Sequence, residues 1–168
     1  MNTAVLVVGG NIGDRFGYLN ACCQYIESRI GKIVKKSAVY ETAAWGRTNQ
    51  QDYLNLAVVI KSKLLPSELL VACLAIEALL DRKREERWAE RTVDVDIIFY
   101  NRMIMHTKTL EIPHPRYHLR NFVLKPLADI IPEYVCPEFN TTILNMFLKC
   151  KDELSVRLIS EIDFALTV

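Results

Sequence analysis

Apolar positions along the chain follow two rhythms, and the points where one gives way to the other mark its elements. Residues 4 to 9, AVLVVG, form a continuous apolar run that ends at the turn-like GNIGD, which predicts a buried strand. Phe16, Leu19, Cys23, Ile26 and Ile30 then recur at helical spacing, and Gly31 stands where it would end that helix. Residues 33 to 41 (IVKKSAVYE) and 53 to 62 (YLNLAVVIKS) return to strand-like patterning. The segment between them, TAAWGRTNQQD, is too polar and too long for a tight hairpin, and a loop of that kind often carries function. Pro66 suits a first helical position, after which Leu69, Leu70, Cys73, Ile76, Leu79 and Leu80 build an apolar helix face. A strand over RTVDVDIIFY, residues 91 to 100, follows.

The order β-α-β-β-α-β predicts an α+β fold of the ferredoxin-like arrangement, an antiparallel sheet with helices on one face, the other face free for a site, and C-terminal additions. In those additions residues 106 to 119, with IPHPRYH, read as loop, a helix is expected after Pro126, and Asn140 to Lys151 reads as a capped helix. The tail from Ser155 to Val168 has no pattern that places it.

Composition narrows the class. With 168 residues, 51% apolar and 24% charged, and no repeat or linker, residues 1–168 are expected to form a single domain. A net charge of +1 gives no global field toward nucleic acid or an anionic membrane, so neither is expected as a partner. No basic leader and no apolar run near membrane-spanning length stand in the sequence, which predicts a cytoplasmic protein, expected to act as a monomer. Cysteines 22, 23, 73, 136 and 150 form no CxxC pair, which argues against a zinc site and a disulfide framework.

The strand at 91 to 100 raises the chemical question. A side-chain period of two puts Asp94 and Asp96 on one face and Val93, Val95, Ile97 and Phe99 on the other. Two carboxylates facing one way repel, and a hard divalent cation such as magnesium would resolve that repulsion, although D-x-D alone equally suits a solvent-facing strand. The preceding DRKREERWAER supplies Arg82, Lys83, Arg84, Arg87 and Arg91, and the arginines' guanidinium forks match phosphate oxygens. Asp81, Glu85, Glu86 and Glu90 nearly cancel that charge, so the segment also reads as a solvated loop. Glu77 lies on the line of Leu70, Cys73 and Leu74, either beside the apolar stripe or drawn into a site at the helix end. His114, between two prolines, is a positioned phosphate donor or a turn histidine. Tyr53 and Asn55 share a strand face and together suit a flat heterocycle, or are a surface pair at a strand start. GGNIGDR has neither the Walker A lysine nor G-x-G-x-x-G spacing, which excludes the two commonest nucleotide loops.

Taken in order, VVGGNIGDR, SAVYET, DYLNLAVVI, IEALLDRKREERW, RTVDVDIIFY and IPHPRYHLRNFVLKPL make the chain, from about residue 4 to about 137, resemble the 6-hydroxymethyl-7,8-dihydropterin pyrophosphokinase family of folate biosynthesis. The resemblance implies transfer of the terminal two phosphoryl groups of ATP, as one unit, to the hydroxymethyl oxygen of the pterin, leaving AMP. It implies that Asp94 and Asp96 hold two magnesium ions and that Arg82 and Arg91 stabilise the transferring group. Arg84 and Trp88 match nucleotide-side loop positions, His114 and Arg120 phosphate contacts, and Glu77 and Ile97 positions beside the nucleotide. Thr42, Trp45, Tyr53, Asn55 and Phe122 match the pterin pocket, with the ring stacked between Tyr53 and Phe122. The sequence departs from the family pattern at Gly10, where a serine is usual, and at Leu74, Ala43-Ala44 and Ala89-Glu90. Two other readings keep parts of the pattern: a different metal-dependent nucleotidyl or phosphoryl transferase on a similar sheet, which needs no pterin-shaped pocket, and an RNA-binding module, for which the aromatic run and a basic sheet face are missing.

Overall fold

Both rhythms become elements in the computed structural model, which describes residues 1–44, 49–82 and 91–160. In chain order these are β1 (Asn2–Gly10), α1 (Arg15–Arg29), β2 (Gly31–Lys36), β3 (Val39–Thr42), β4 (Tyr53–Ser62), α2 (Pro66–Leu79), β5 (Asp94–Tyr100), β6 (Met105–His106), β7 (Glu111–Ile112), α3 (Asn121–Ile130), α4 (Ile143–Lys149) and β8 (Val156–Ser160), with a 3-10 turn at Tyr117–Leu119. The main sheet runs β5-β1-β4-β3-β8 with β2 also on β4, and every pairing in it is antiparallel. β6 and β7 form a separate two-stranded ribbon.

α1 and α2 cover one face of the sheet, where Leu6, Leu19, Ile26, Leu56, Leu69 and Ile76 are fully buried together. The C-terminal additions lie on the opposite face, where Val123, Leu124 and Leu127 of α3 pack on Val5, Val7 and Val59. They cover only part of it. What they leave open is the end of the sheet where β1 finishes and β5 begins.

Several expectations are corrected in detail. Residues 33 to 41 are two strands on successive halves of β4, and Ser37 fills the break: its N–H donates to the Ala57 carbonyl at 2.9 Å and its hydroxyl oxygen accepts from Ala57 N–H at 2.8 Å. Gly31 does not end α1 in a left-handed turn; it is the first residue of β2, where a Cβ would stand 2.2 Å from the Lys61 carbonyl oxygen. The strand at 94–100 does not alternate throughout. Val5 pairs with Phe99 and Leu6 with Ile97, so Ile98 is an extra residue, and this bulge turns Ile98 and Phe99 onto the α3 side. Phe99 therefore packs edge-on against Tyr117 at 4.9 Å instead of facing the α1–α2 core with Val95.

α3 begins five residues before the proline that was expected to precede it. Pro126 lies inside, where it removes only the hydrogen bond residue 126 would have made to the Phe122 carbonyl, while the first turn is held by a cap from elsewhere in the chain. Asp152 accepts from Asn121 N–H at 2.9 Å. α4 is capped as its sequence suggests, with Thr142 Oγ1 accepting from Asn145 N–H at 3.2 Å. Part of the unplaced tail is β8, the edge strand beside β3. All five cysteines are free, and Cys22, Cys23, Cys73 and Cys136 are buried. Among the described residues no helix is long and apolar enough to cross a membrane.

Candidate active site

The antiparallel register brings residues from distant parts of the chain into rows. Gly9 of β1 faces Asn55 on one side and Asp94 on the other, and Val7 lies between Ala57 and Asp96. Thr42 of β3 faces Tyr53 at the start of β4. A cleft of about 350 Å³ opens over these rows, lined by Thr42, Tyr53, Asn55, Arg91, Asp94 and Asp96 from the sheet side and by Arg116, Leu119, Arg120 and Phe122 from the segment leading into α3. That is ample for a bicyclic ring. A more open concavity of about 660 Å³ around His118, Phe139, Met146 and Lys149 contains none of the expected site residues.

One half of the cleft is polar but unsatisfied. Asn55 is only 5% exposed and its Nδ2 has no hydrogen-bond partner; Thr42 is 3% exposed and its Oγ1 is likewise without one. Leaving such groups unmatched costs about 1–3 kcal/mol each, so their presence points to a ligand that supplies the matching edge. Asn55 lies where it does because residue 9 is glycine: a Cβ there would stand 2.0 Å from Asn55 Oδ1.

The other half is charged. Arg82 Nη1 lies 2.6 Å from Asp94 Oδ1, an ion pair without hydrogen-bond geometry, and also donates to Glu77 Oε2 at 2.5 Å. Arg91 donates to Asp94 Oδ2. Glu77, 4% exposed, accepts from Val95 N–H at 2.8 Å through its other oxygen, so it is drawn to the site end of α2 and ties Arg82 to the β5 backbone. Asp96 has no ion pair among the described residues. Burial, then Asp94 and Glu77, push its carboxyl up to about 6, against the opposing pull of Arg120 and Arg91.

Two hard oxygen donors on one strand face, with Asp94 Oδ1 accepting no hydrogen bond, fit magnesium, which takes one or two carboxylates and completes its shell with water and phosphate oxygens. Among the described residues no cluster of three or more metal-binding side chains offers a full protein cage.

His114 lies beside the cleft and not in its lining. Its N–H donates to the Ile98 carbonyl at 3.0 Å, and its Nδ1 accepts from Arg116 N–H at 3.1 Å. Burial, then Arg120 and Arg116, push the imidazole down to about 4. It is therefore neutral near pH 7, and because Nδ1 accepts, its proton is on Nε2. Arg120 places its guanidinium 5.6 Å from the centre of the Phe122 ring.

Of the expected residues, Thr42, Tyr53, Asn55, Arg91, Asp94, Asp96, Arg120 and Phe122 share the cleft, with Glu77 and Arg82 directly behind Asp94. The Ile97 side chain turns into the α1–α2 core and is 5% exposed. Trp45, Arg84 and Trp88 lie outside the described residues.

Sequence reasoning missed Asn11, Arg116, Asp152 and Leu154. Asn11 is fully buried: its backbone N–H donates to the Arg91 carbonyl at 2.9 Å, its Oδ1 accepts from Arg91 N–H at 3.0 Å and its Nδ2 donates to the Gln51 carbonyl at 3.0 Å. It thus fastens the far ends of both long connections to the end of β1. A lone asparagine after two glycines in GGNIGD was the available signal.

The sequence model of the family described as 7,8-dihydro-6-hydroxymethylpterin-pyrophosphokinase (HPPK) matches residues 5–132. The chain is 38% identical over 137 residues to the 2-amino-4-hydroxy-6-hydroxymethyldihydropteridine pyrophosphokinase of Aquifex aeolicus, covering 82% of this chain and 85% of that relative. It is 45% identical over 130 residues to the Bacillus subtilis protein of the same description, covering 77% and 78%. Among solved structures, that of a Plasmodium falciparum HPPK-DHPS triple mutant superposes with a TM-score of 0.73 at 21% identity, a likeness of fold. That match covers 88% of this chain, which spans 43% of the length of the solved one.

Proposed function

This chain belongs to the 7,8-dihydro-6-hydroxymethylpterin-pyrophosphokinase family, an enzyme of folate biosynthesis that transfers pyrophosphate to hydroxymethyldihydropterin, and we propose that it does so in the cleft over Gly9, taking the group from ATP and leaving AMP. The observation that carries this reading is one cleft with two unlike halves. Thr42 Oγ1 and Asn55 Nδ2 lack partners in one, and strand carboxylates with guanidinium groups line the other.

On the pterin side, Thr42 and Asn55 hold the polar edge of the ring, and Tyr53 and Phe122 take its two faces. On the ATP side, Asp94 and Asp96 would hold two magnesium ions, which neutralise the triphosphate. Transfer of this type asks for alignment and charge compensation more than covalent work by side chains. In the ligand-free protein Arg82 and Arg91 compensate Asp94. When the triphosphate enters, their guanidinium groups exchange the carboxylate for phosphate oxygens on the transferring group, so both guanidinium groups have a partner before and after binding. Glu77 keeps Arg82 close through that exchange. His114 donates from Nε2 to a phosphate oxygen, and Arg120 and Arg116 face the same charge. Arg84, Trp88 and the backbone at Ile97 serve the nucleotide, and Trp45 the pterin side. The free cysteines fit a reducing compartment such as the cytoplasm, and the chain is taken to act there as a monomer.

Product analysis tests the reading. Incubation with ATP, magnesium and 6-hydroxymethyl-7,8-dihydropterin should yield AMP and the pterin diphosphate in equal amounts. ADP as the main nucleotide product would overturn it.

A further inference from the structure

Residues 152–160 lie beyond the stretch that matches the family, which ends at residue 132. They nevertheless touch the site in three ways. Asp152 and Leu154 line the cleft with Tyr53, Asn55 and Phe122. Asp152 also holds the start of α3: its Oδ2 accepts from Asn121 N–H at 2.9 Å and its backbone carbonyl accepts from Asn121 Nδ2 at 2.7 Å, while its Oδ1 accepts from Leu154 N–H at 3.0 Å. Finally, β8 pairs along β3 with Val156 opposite Thr42 and Arg157 opposite Glu41, and the Arg157 guanidinium pairs with the Glu41 carboxylate, which also binds Arg15 at 2.7 Å.

These contacts fall on the pterin side. Asn121 is the first residue of α3 and is flanked by Arg120 and Phe122, which line the cleft. An α-helix leaves its first N–H groups without intrahelical partners, and no side chain at the local cap position, Arg120, satisfies them here. The carboxylate of Asp152, 31 residues further on, does so instead. The same residue turns the chain through its bond to Leu154 N–H, which brings the Leu154 side chain to the cleft just before β8 begins beside Thr42.

We propose that the segment from Asp152 to Ser160 is a substrate-selecting wall of the active site. Asp152 is a positioning residue that caps α3 and so sets where Phe122 meets the pterin, and Leu154 supplies an apolar contact that closes the pterin side of the cleft. The inference rests on the pterin-side reading given above, and its test separates the two.

The test is calorimetric titration of the full chain with an unreactive pterin in the presence of magnesium and a non-hydrolysable ATP analogue, and with the analogue alone. Asp152→Ala should raise the Kd for pterin about five- to tenfold, because only part of the lost α3 cap is felt at Phe122 in the pterin site, with the Kd for the analogue within about twofold. Leu154→Ala should raise the pterin Kd about threefold or more through lost apolar contact. Asp152→Asn, which can still accept from Asn121 N–H, should recover a good part of the loss, a rescue that a merely bulky or charged wall residue would not show. Thermal melts confirm that each variant folds; should Asp152→Ala fail to fold, Leu154→Ala, which leaves the α3 cap intact, decides the matter. Tyr53→Ala is the control. If it weakens pterin binding while the folded Asp152→Ala and Leu154→Ala variants bind pterin within twofold of the parent, or lose both ligands equally, the wall is overturned and the site reading stands. If Tyr53→Ala leaves pterin binding unchanged, the site reading falls and the wall falls with it.

Discussion

Replacing Asp96 by asparagine keeps the size of the side chain and removes its charge, and the structure says what the charge costs. Burial, with Asp94 and Glu77 nearby, moves the carboxyl from its ordinary 3.8 up to about 6. At about 1.4 kcal/mol per pH unit, that rise corresponds to about 3 kcal/mol of folding free energy lost once Asp96 is ionised. The sign follows from proton binding: the folded state holds this proton more tightly than the unfolded chain, so stability is lost as pH climbs from about 4 to about 6 and is flat above. Asp96→Asn should therefore be more stable than the parent in chelator at pH 7.5, by up to about 3 kcal/mol, or on the order of 5 to 10 °C in Tm for a domain of this size. At pH 5 the difference should shrink to about half.

The assay is paired urea denaturation of both proteins at pH 5 and 7.5 with chelator, repeated with magnesium and a non-hydrolysable ATP analogue. Under the second condition the parent should gain stability through ligand linkage and the variant should gain far less, with turnover abolished. A variant less stable than the parent at pH 7.5, or a stability difference that does not change with pH, would refute the claim that Asp96 is a half-buried carboxylate whose neighbours compensate it only in part. Normal turnover would refute its place in the metal bracket.

Three further outcomes are expected. Phe122→Ala and Tyr53→Ala should each weaken pterin binding about tenfold or more while sparing an ATP analogue, because a stacked ring contributes about 0.5–1.5 kcal/mol beyond its buried area; calorimetry that finds equal losses for both ligands would point to a misassigned pocket. Asn11→Ala removes two side-chain hydrogen bonds from a fully buried residue, so Tm should fall by the equivalent of about 1–3 kcal/mol and kcat should fall with it, as Arg91 loses its anchor; a variant with unchanged Tm and kcat would show that the loop ends are held otherwise. In NMR titration of the ligand-free protein, His114 should stay neutral with its proton on Nε2 from pH 8 down to about 5 and titrate near 4, whereas a midpoint at its ordinary 6.5 would show that the imidazole is solvated.

The sequence made the sheet and its central chemistry legible because both depend on local pattern. A period of two is enough to put Asp94 and Asp96 on one face, and antiparallel pairing then brings them to Gly9 and Val7. The pattern fails where a long-range contact overrides it. Nothing within RTVDVDIIFY announces that Ile98 will be the extra residue of a bulge, since the Phe99 ring it turns to the far side meets Tyr117 and Tyr134, which lie elsewhere in the chain. Pro126 reads as a helix start by local rules, but the true start is set by Asp152, 31 residues away from Asn121. Asn11, Arg116 and Leu154 escape for the same reason, because the distant partner of Asn11 and the cleft that Arg116 and Leu154 line are assembled only by the fold.

The charges around β5 also bear on which form of the nucleotide the proposed site would favour. Glu77, Asp94 and Asp96 face Arg82 and Arg91 there, and the pairs Glu77–Arg82, Arg82–Asp94 and Arg91–Asp94 use both guanidinium groups on Glu77 and Asp94. Asp96 has no ion pair among the described residues, and its raised carboxyl shows that Arg120 and Arg91 offset only part of its burial and of the repulsion from Asp94 and Glu77. A bare triphosphate approaching this strand would meet that charge while Arg82 and Arg91 are engaged by Asp94, with Arg116 and Arg120 on the other side of the cleft facing it. On the proposed reading, Asp94 and Asp96 would hold the cation of a metal-bound triphosphate, whose charge would weaken the hold of Asp94 on Arg82 and Arg91. The raised carboxyl of Asp96 in the ligand-free protein would then favour the cation-bound nucleotide over the bare one and leave Arg82 and Arg91 freer to turn toward phosphate oxygens.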